Sequence, residues 1–281
     1  MKPAPFDWHV PDSLDAALAL KAALGEEARF IAGGQSLIPA MNFRMAQPAA
    51  LIDLSRLPAL AGITTEPDGG LTIGAMTRHR TVEHHPHPLL SEAMAEVAHP
   101  QIRARGTLGG NLAHADPASE MPAVMLALDA SFDLRRAGGT RRLPAADFFL
   151  APLTTALEPD EMLAAIRIPP LPPGTGTAFL ELARRQGDYA MMGVAVVLTR
   201  AADRVASARL AFLSAGPTPM LAPRAAAALV GAGPDAFADA AETAAQEIDP
   251  MGSVQASIPY QRHLARVLAR RALALAWGRA A

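Results

Sequence analysis

The 281-residue chain contains no cysteine. That excludes disulfides, a thiolate nucleophile, cysteine-ligated zinc and an iron–sulfur cluster of its own. Redox chemistry here calls for a bound organic cofactor or a partner's metal. Lysine is almost as scarce: Lys2 and Lys21 are the two, and arginine supplies the other basic side chains. With a net charge of −2 and no basic stripe, nothing asks for nucleic acid or an anionic membrane as partner. No apolar run reaches the ~18 residues of a membrane span. The opening Met1-Lys2-Pro3-Ala4-Pro5-Phe6-Asp7-Trp8 lacks the apolar core of a secretory signal, so a cytoplasmic protein is expected. G-x-G-x-x-G and G-x-x-x-x-G-K-[ST] are both missing, which argues against a Rossmann or P-loop nucleotide site. No Ser-His-Asp or Cys-His arrangement supports a hydrolase.

What the chain does have is a globular balance of 51% apolar and 19% charged residues, with length enough for two domains. Two glycine-rich stretches stand out: Ala32-Gly33-Gly34-Gln35-Ser36-Leu37 and Thr107-Leu108-Gly109-Gly110-Asn111-Leu112. Each sets two adjacent glycines among small polar side chains and ends in leucine. Adjacent glycines permit positive φ and remove the Cβ atoms that hold a ligand away from the backbone. Successive amides in such a turn form a concave nest that suits a phosphate. Either stretch alone reads equally well as a tight turn. Together they point to a clamp on a diphosphate, and so to a dinucleotide.

Ser13 is placed to cap a helix carrying Leu14, Ala17, Leu18, Lys21 and Leu24, which Gly25 ends. Strands are expected at 29–31 and 50–54, and Pro67-Asp68-Gly69-Gly70 signals a hairpin between 63–65 and 71–73. Helices are expected over 88–98 and 118–128, with strands over 131–136, 162–168, 177–184, 193–200 and 205–213. Pro169-Pro170-Leu171-Pro172-Pro173-Gly174 fits neither a helix nor a central strand and marks a domain boundary. An amphipathic helix over 258–277 closes the chain. Strands and helices mix without strict βαβ alternation, so the expected class is α+β.

Three further segments have competing readings. In His114-Ala115-Asp116-Pro117-Ala118-Ser119-Glu120, Asp116 and Ser119 fit helix caps, while Asp116 also fits a carboxylate receiving cofactor hydroxyls. His79, His84, His85 and His87 resemble a metal tract, but Pro86 and Pro88 break it, and a surface loop is the better reading. Arg184-Arg185-Gln186-Gly187-Asp188-Tyr189-Ala190 sets cations and a ring beside a turn. Taken alone, it reads as a solvated strand end.

Jointly, Ala32–Leu37, Thr107–Leu112 with His114–Pro117, and Arg184–Ala190 resemble the FAD-binding medium subunit of the molybdenum hydroxylases. That family includes aerobic carbon monoxide dehydrogenase and xanthine dehydrogenase. Ser257–Leu264 is similar to its C-terminal helix, and the resemblance runs over essentially the whole chain. It implies a vanillyl-alcohol-oxidase-type FAD-binding fold over 1–172, in subdomains of about 1–56 and 57–172, then a small α+β C-terminal domain over 173–281. It implies that Ala32, Gly33, Gly34, Gln35, Ser36 and Leu37, with Thr107, Gly109, Gly110 and Asn111, hold non-covalent FAD. Thr77 and Asp116 join them. Tyr189 falls near the isoalloxazine, and Arg184 or Arg185 would stabilise the reduced flavin. The resemblance further implies a small iron–sulfur subunit and a large molybdopterin subunit as partners, in a dimer of heterotrimers. Electrons would pass from their [2Fe–2S] clusters through FAD to NAD, a quinone or oxygen. The competing readings are a stand-alone flavin oxidase and a non-enzymatic nucleotide-binding module.

Overall fold

Ser13 caps the first helix through its hydroxyl, which accepts from the Ala16 amide, and Gly25 ends it at φ +61°. This helix, α1 (Leu14–Leu24), follows strand β1 (Asp7–His9) and precedes β2 (Ala28–Ile31). Lys21, on its buried face, donates from Nζ to the carbonyls of Gly25 and Ala28 at 2.7 Å each. The short helix α2 (Leu37–Asn42) then leads to β3 (Ala50–Asp53), and the three strands form a parallel sheet in the order β1-β3-β2. The computed structural model describes residues 2–280.

A second sheet begins with the expected hairpin, β4 (Ile63–Thr65) and β5 (Leu71–Gly74), closed by the Glu66–Gly70 turn. Five helices come next: α3 (His79–Glu83), α4 (Pro88–Glu96), α5 (Pro100–Arg103), α6 (Leu108–His114) and α7 (Glu120–Ala127). The chain then adds β6 (Ser131–Arg136), β7 (Gly139–Pro144), a small β8–β9 hairpin (Phe149–Ala151, Thr154–Thr155) and β10 (Met162–Ile168). The resulting antiparallel sheet runs β4-β5-β10-β6-β7. All of α7 is buried, packed with α4 and the Phe132, Phe148 and Phe149 rings in the largest core.

Beyond the proline-rich 169–174 segment lies a third sheet: β11 (Thr175–Leu182), β12 (Met192–Ala201), β13 (Arg204–Leu213) and β14 (Met220–Leu221). Helices α8 (Pro223–Leu229), α9 (Phe237–Glu247) and α10 (Ile258–Arg279) cover one face of it. Gly176 permits that packing, because a Cβ there would collide with the Ala276 carbonyl of α10. Mixed sheets and helices bear out the α+β class.

Candidate functional site

The first glycine stretch leaves β2 and turns into α2. Gly34 sits at φ +73°, and a side chain on Gly33 would run into the Arg105 carbonyl and lie 2.8 Å from the Gly106 Cα. The loop therefore lies directly on the segment entering the second stretch. Among the described residues, the amides of Gly33, Gly34, Gln35, Ser36 and Leu37 have no acceptor, and the Gln35 side chain folds back onto the Gly33 carbonyl at 3.2 Å. A turn of free N–H groups without intervening Cβ atoms is what a phosphate requires.

The second stretch departs from the expected loop. Residues 108–114 are helical, with Thr107 as N-cap, its hydroxyl accepting from the Gly110 amide at 3.2 Å. None of Gly106, Gly109 and Gly110 has positive φ. Their bareness serves close approach instead. A Cβ on Gly109 would collide with Ala75, and one on Gly110 would lie 3.5 Å from the Ala32 Cβ. The expected nest fails here too: Leu108 donates to the Thr77 carbonyl, Gly109 to that of Ala75, and Gly110 to its own cap. The structure thus places one loop of open amides against one closed helix start.

Thr77 is buried, and its hydroxyl both donates to and accepts from the Gly62 backbone. Its carbonyl anchors Leu108. The Asn111 side chain exchanges two hydrogen bonds with the Ser119 hydroxyl, at 2.8 and 3.0 Å, which fixes α6 to α7. Beside Thr77 stands a cation that the sequence did not single out. Arg78 donates to the Arg105 carbonyl, the same oxygen that Gly33 abuts. Partial burial, then the Arg105 charge, hold its pKa below the ordinary arginine value.

Asp116 follows Ala115, which is left-handed at φ +51°, and accepts from the Ala118 amide at 2.9 Å. It closes a turn ahead of α7 and does not cap that helix, whose N-cap is Ser119 without a side-chain bond, and it also borders a cleft of about 420 Å³ shared with Tyr189, Met191, Met251 and Val254. The polar groups at the cleft wall bind one another: Gln261 donates to the Met191 and Ser214 carbonyls at 3.1 Å each and accepts from Gly252. The Tyr189 ring is exposed at this cleft. Partial desolvation and then the Asp116 charge raise its phenol above the usual value. Arg184 and Arg185 lie on an exposed turn that Gly187, at φ +84°, presses against His99. That turn, with the Asp188 amide bonded to the Arg185 carbonyl, is not in the wall of the cleft.

The histidine tract is a partial correction. His84 is exposed, but His79 is 4% exposed against Gly106, and burial pushes its pKa down to about 4. His87 caps α4, accepting from the Leu90 amide, and burial holds it at about 4 as well. Behind Asp116, Glu120 is buried at the start of α7 and raised to about 7, first by desolvation. Glu181 on β11 is raised to about 8 by desolvation and by the charges of Glu120 and Glu96.

This geometry is an open amide turn braced on a helix start near a cation, with no Rossmann motif. The family of FAD binding domains in molybdopterin dehydrogenase matches residues 4–171, and that of the CO dehydrogenase flavoprotein C-terminal domain matches 177–276. The chain is 41% identical to the 6-hydroxypseudooxynicotine dehydrogenase complex subunit alpha of Paenarthrobacter nicotinovorans, over 100% of this chain and 97% of that one. It is 38% identical to the carbon monoxide dehydrogenase medium chain of Hydrogenophaga pseudoflava, over 100% of both. A solved structure of carbon monoxide dehydrogenase from Hydrogenophaga pseudoflava superposes with a TM-score of 0.97 at 40% identity, covering 100% of both chains. Quinoline 2-oxidoreductase from Pseudomonas putida 86 gives 0.93 at 36% identity, covering 99% of each. The fold is that of a flavoprotein oxidoreductase. The chain belongs to the FAD-binding medium subunits of the molybdenum hydroxylase family. Among the described residues no helix is long and apolar enough to cross a membrane.

Proposed function

We propose that this chain is the electron-transfer subunit of a molybdenum hydroxylase complex, holding FAD between an iron–sulfur partner and an external acceptor. One observation carries the reading. The amides of Gly33 to Leu37 point to no protein acceptor, in a turn held open by its contact with Arg105 and Gly106. The donor set fits a diphosphate: backbone N–H groups without side-chain obstruction, with Arg78 as the neighbouring positive charge. A Cβ on Gly110 would lie 3.5 Å from the Ala32 Cβ, so the bare glycine lets the helix start sit close to the loop. Asp116 is placed to accept from hydroxyls of the ribityl chain, and Tyr189 to cover the ring.

When bound, FAD would supply the redox chemistry, accepting electrons from [2Fe–2S] clusters and releasing them to NAD, a quinone or oxygen. The protein's residues bind and orient it. Gly33 to Leu37 neutralise the diphosphate through dipoles, Thr107 and Thr77 fix the helix start that backs the loop, and the cleft shields one side of the ring. No acid–base residue is required of this chain. The partners are a small iron–sulfur subunit and a large molybdopterin subunit, assembled as a dimer of heterotrimers.

Purified alone, the chain is expected to carry or take up about one FAD per chain, since cofactor binding is its part in the chemistry. Absorbance spectra and titration with free FAD measure this. A folded chain that takes up none overturns the reading. Tight adenine-nucleotide binding without a dithionite-bleachable chromophore would indicate the nucleotide-binding module instead.

A further inference from the structure

Helix α10 buries a stripe of Leu264, Ala265, Leu268 and Ala269 in the core of the third sheet, and its first turn adds one polar side chain to that stripe. Gln261 is 4% exposed. A buried amide is tolerated where each of its groups is bonded. Its Nε2 donates to the Met191 and Ser214 carbonyls at 3.1 Å each, and its Oε1 accepts from the Gly252 amide at 2.9 Å. The three partners come from separate parts of the chain. Met191 ends the excursion between β11 and β12, Ser214 follows β13, and Gly252 lies between α9 and α10. All three line the Tyr189 cleft.

Ser214 carries this anchorage to the groups that face a ligand. Held at φ +55°, it donates its amide to the Pro117 carbonyl at 2.8 Å and its hydroxyl to the Ala190 carbonyl at 2.7 Å. Pro117 adjoins Asp116, and Ala190 adjoins Tyr189. Both side chains given to the cofactor therefore hang from backbone tied to Ser214 and Gln261. Tyr189 needs that support. It is 66% exposed, so its backbone rather than packing around the ring sets its direction.

We infer that Gln261 is a positioning residue for the flavin: through Met191, Ser214 and Gly252 it fixes the cleft walls, and so the setting in which Tyr189 meets the isoalloxazine. The inference rests on the FAD reading above and extends it to a side chain that needs no contact with the cofactor. An unbranched apolar side chain of the same length would fill the same space. It would leave two carbonyls and an amide without partners. The walls would then take several settings in place of one. The Gly33–Leu37 turn, which leaves the first sheet, would be untouched, so the diphosphate would keep its donors.

The test loads the full chain with FAD and measures its affinity and the fluorescence of the bound flavin, which a tyrosine beside the ring quenches. Gln261→Met is expected to keep the FAD affinity within about threefold of the parent. It is expected to raise the bound-flavin fluorescence roughly twofold, as the ring samples settings away from Tyr189. Gln261→Glu keeps the acceptor for Gly252 but loses both donors, and is expected to raise it as well. Tyr189→Ala raises the fluorescence by itself, and adding Gln261→Met to it is expected to give no further rise, because Gln261 acts through Tyr189. Arg262→Ala, next on α10, removes a bond to the Ala245 carbonyl and is expected to keep the parental fluorescence. Parental fluorescence in Gln261→Met, an equal rise in Arg262→Ala, or a full further rise in the double variant overturns the inference. So does failure of both Gln261 variants to fold, which would make the residue structural alone. A folded parent chain that binds no FAD refutes the FAD reading itself. Bound FAD with unmoved fluorescence refutes only the role of Gln261.

Discussion

A methyl group on Gly109 would enter Ala75 before it reached any ligand. Gly109→Ala is therefore expected to destabilise the fold by about 1–3 kcal/mol, as overpacking does, with FAD loss following from the displaced helix start. Thermal melting with and without added FAD separates the two effects. A variant as stable as the parent would show that Ala75 yields. Arg78 gives the cleaner test of binding. Arg78→Ala is expected to weaken FAD binding about tenfold, roughly one charge-assisted hydrogen bond, with Arg78→Lys recovering part of it. Unchanged affinity by flavin-fluorescence titration would remove Arg78 from the site. Arg78 was hidden in the sequence because its significance comes from the Arg105 carbonyl, 27 residues away. The pair Gly33 and Gly34 was legible because bare, adjacent glycines have few uses other than a strained turn or a close approach.

At the level of elements, the carboxylates of α4, α7 and β11 converge. Glu96, Glu120 and Glu181 repel one another, with Asp116 adding to the field at Glu120, and one buried oxygen of Glu181 has no hydrogen-bond partner. Folding raises the pKa of Glu120 to about 7 and of Glu181 to about 8 from an ordinary 4.5. The protonated acids are thus the ones the fold tolerates. Stability associated with them is complete below pH 4.5 and is lost as the pH rises through the folded values. His79 works in the opposite sense. Its pKa falls from 6.5 to about 4 on folding, so its contribution is present above pH 6.5 and is lost toward pH 4. A melting-temperature profile should therefore peak in mildly acidic buffer. Glu181→Gln should flatten the alkaline limb, by on the order of 2 kcal/mol near pH 8.5; an unchanged limb would place the cause elsewhere. The elements read best from sequence were strands such as 131–136 and 162–168, found at those bounds because turn residues fence short apolar runs. Helix α6 escaped because Gly109 and Gly110 are poor helix formers. Tertiary contact with Ala75 and the Thr107 cap outweigh that propensity. Helix α2, with Pro39 among six residues, is too short to show a period.

On the scale of the molecule, one side chain joins the C-terminal sheet and helix to the five-helix region. Glu92 on α4 accepts from the Phe179 amide of β11 at 3.1 Å and pairs with Arg279 of α10 at 2.9 Å. Arg279 also donates to the Thr177 carbonyl. Glu92→Ala is expected to loosen this joint by about 1–2 kcal/mol, seen as faster proteolysis within the proline-rich 169–174 segment. Cleavage at the parental rate would show that the remaining contacts, such as Arg209 with Asp129 and Ser214 with Pro117, hold the units without Glu92. The sequence could not reveal this joint, since its partners lie up to 187 residues apart.

The two carbonyls that fasten Lys21 also take it out of reach of solvent chemistry. Amine-directed crosslinkers and labels are left with Lys2 as their one exposed lysine, so interface maps built on them will be nearly blank for this chain. The missing cysteines offer the remedy. A single thiol engineered at exposed Met45, just past α2, would be the protein's sole sulfhydryl, and a probe placed there would report on one surface alone.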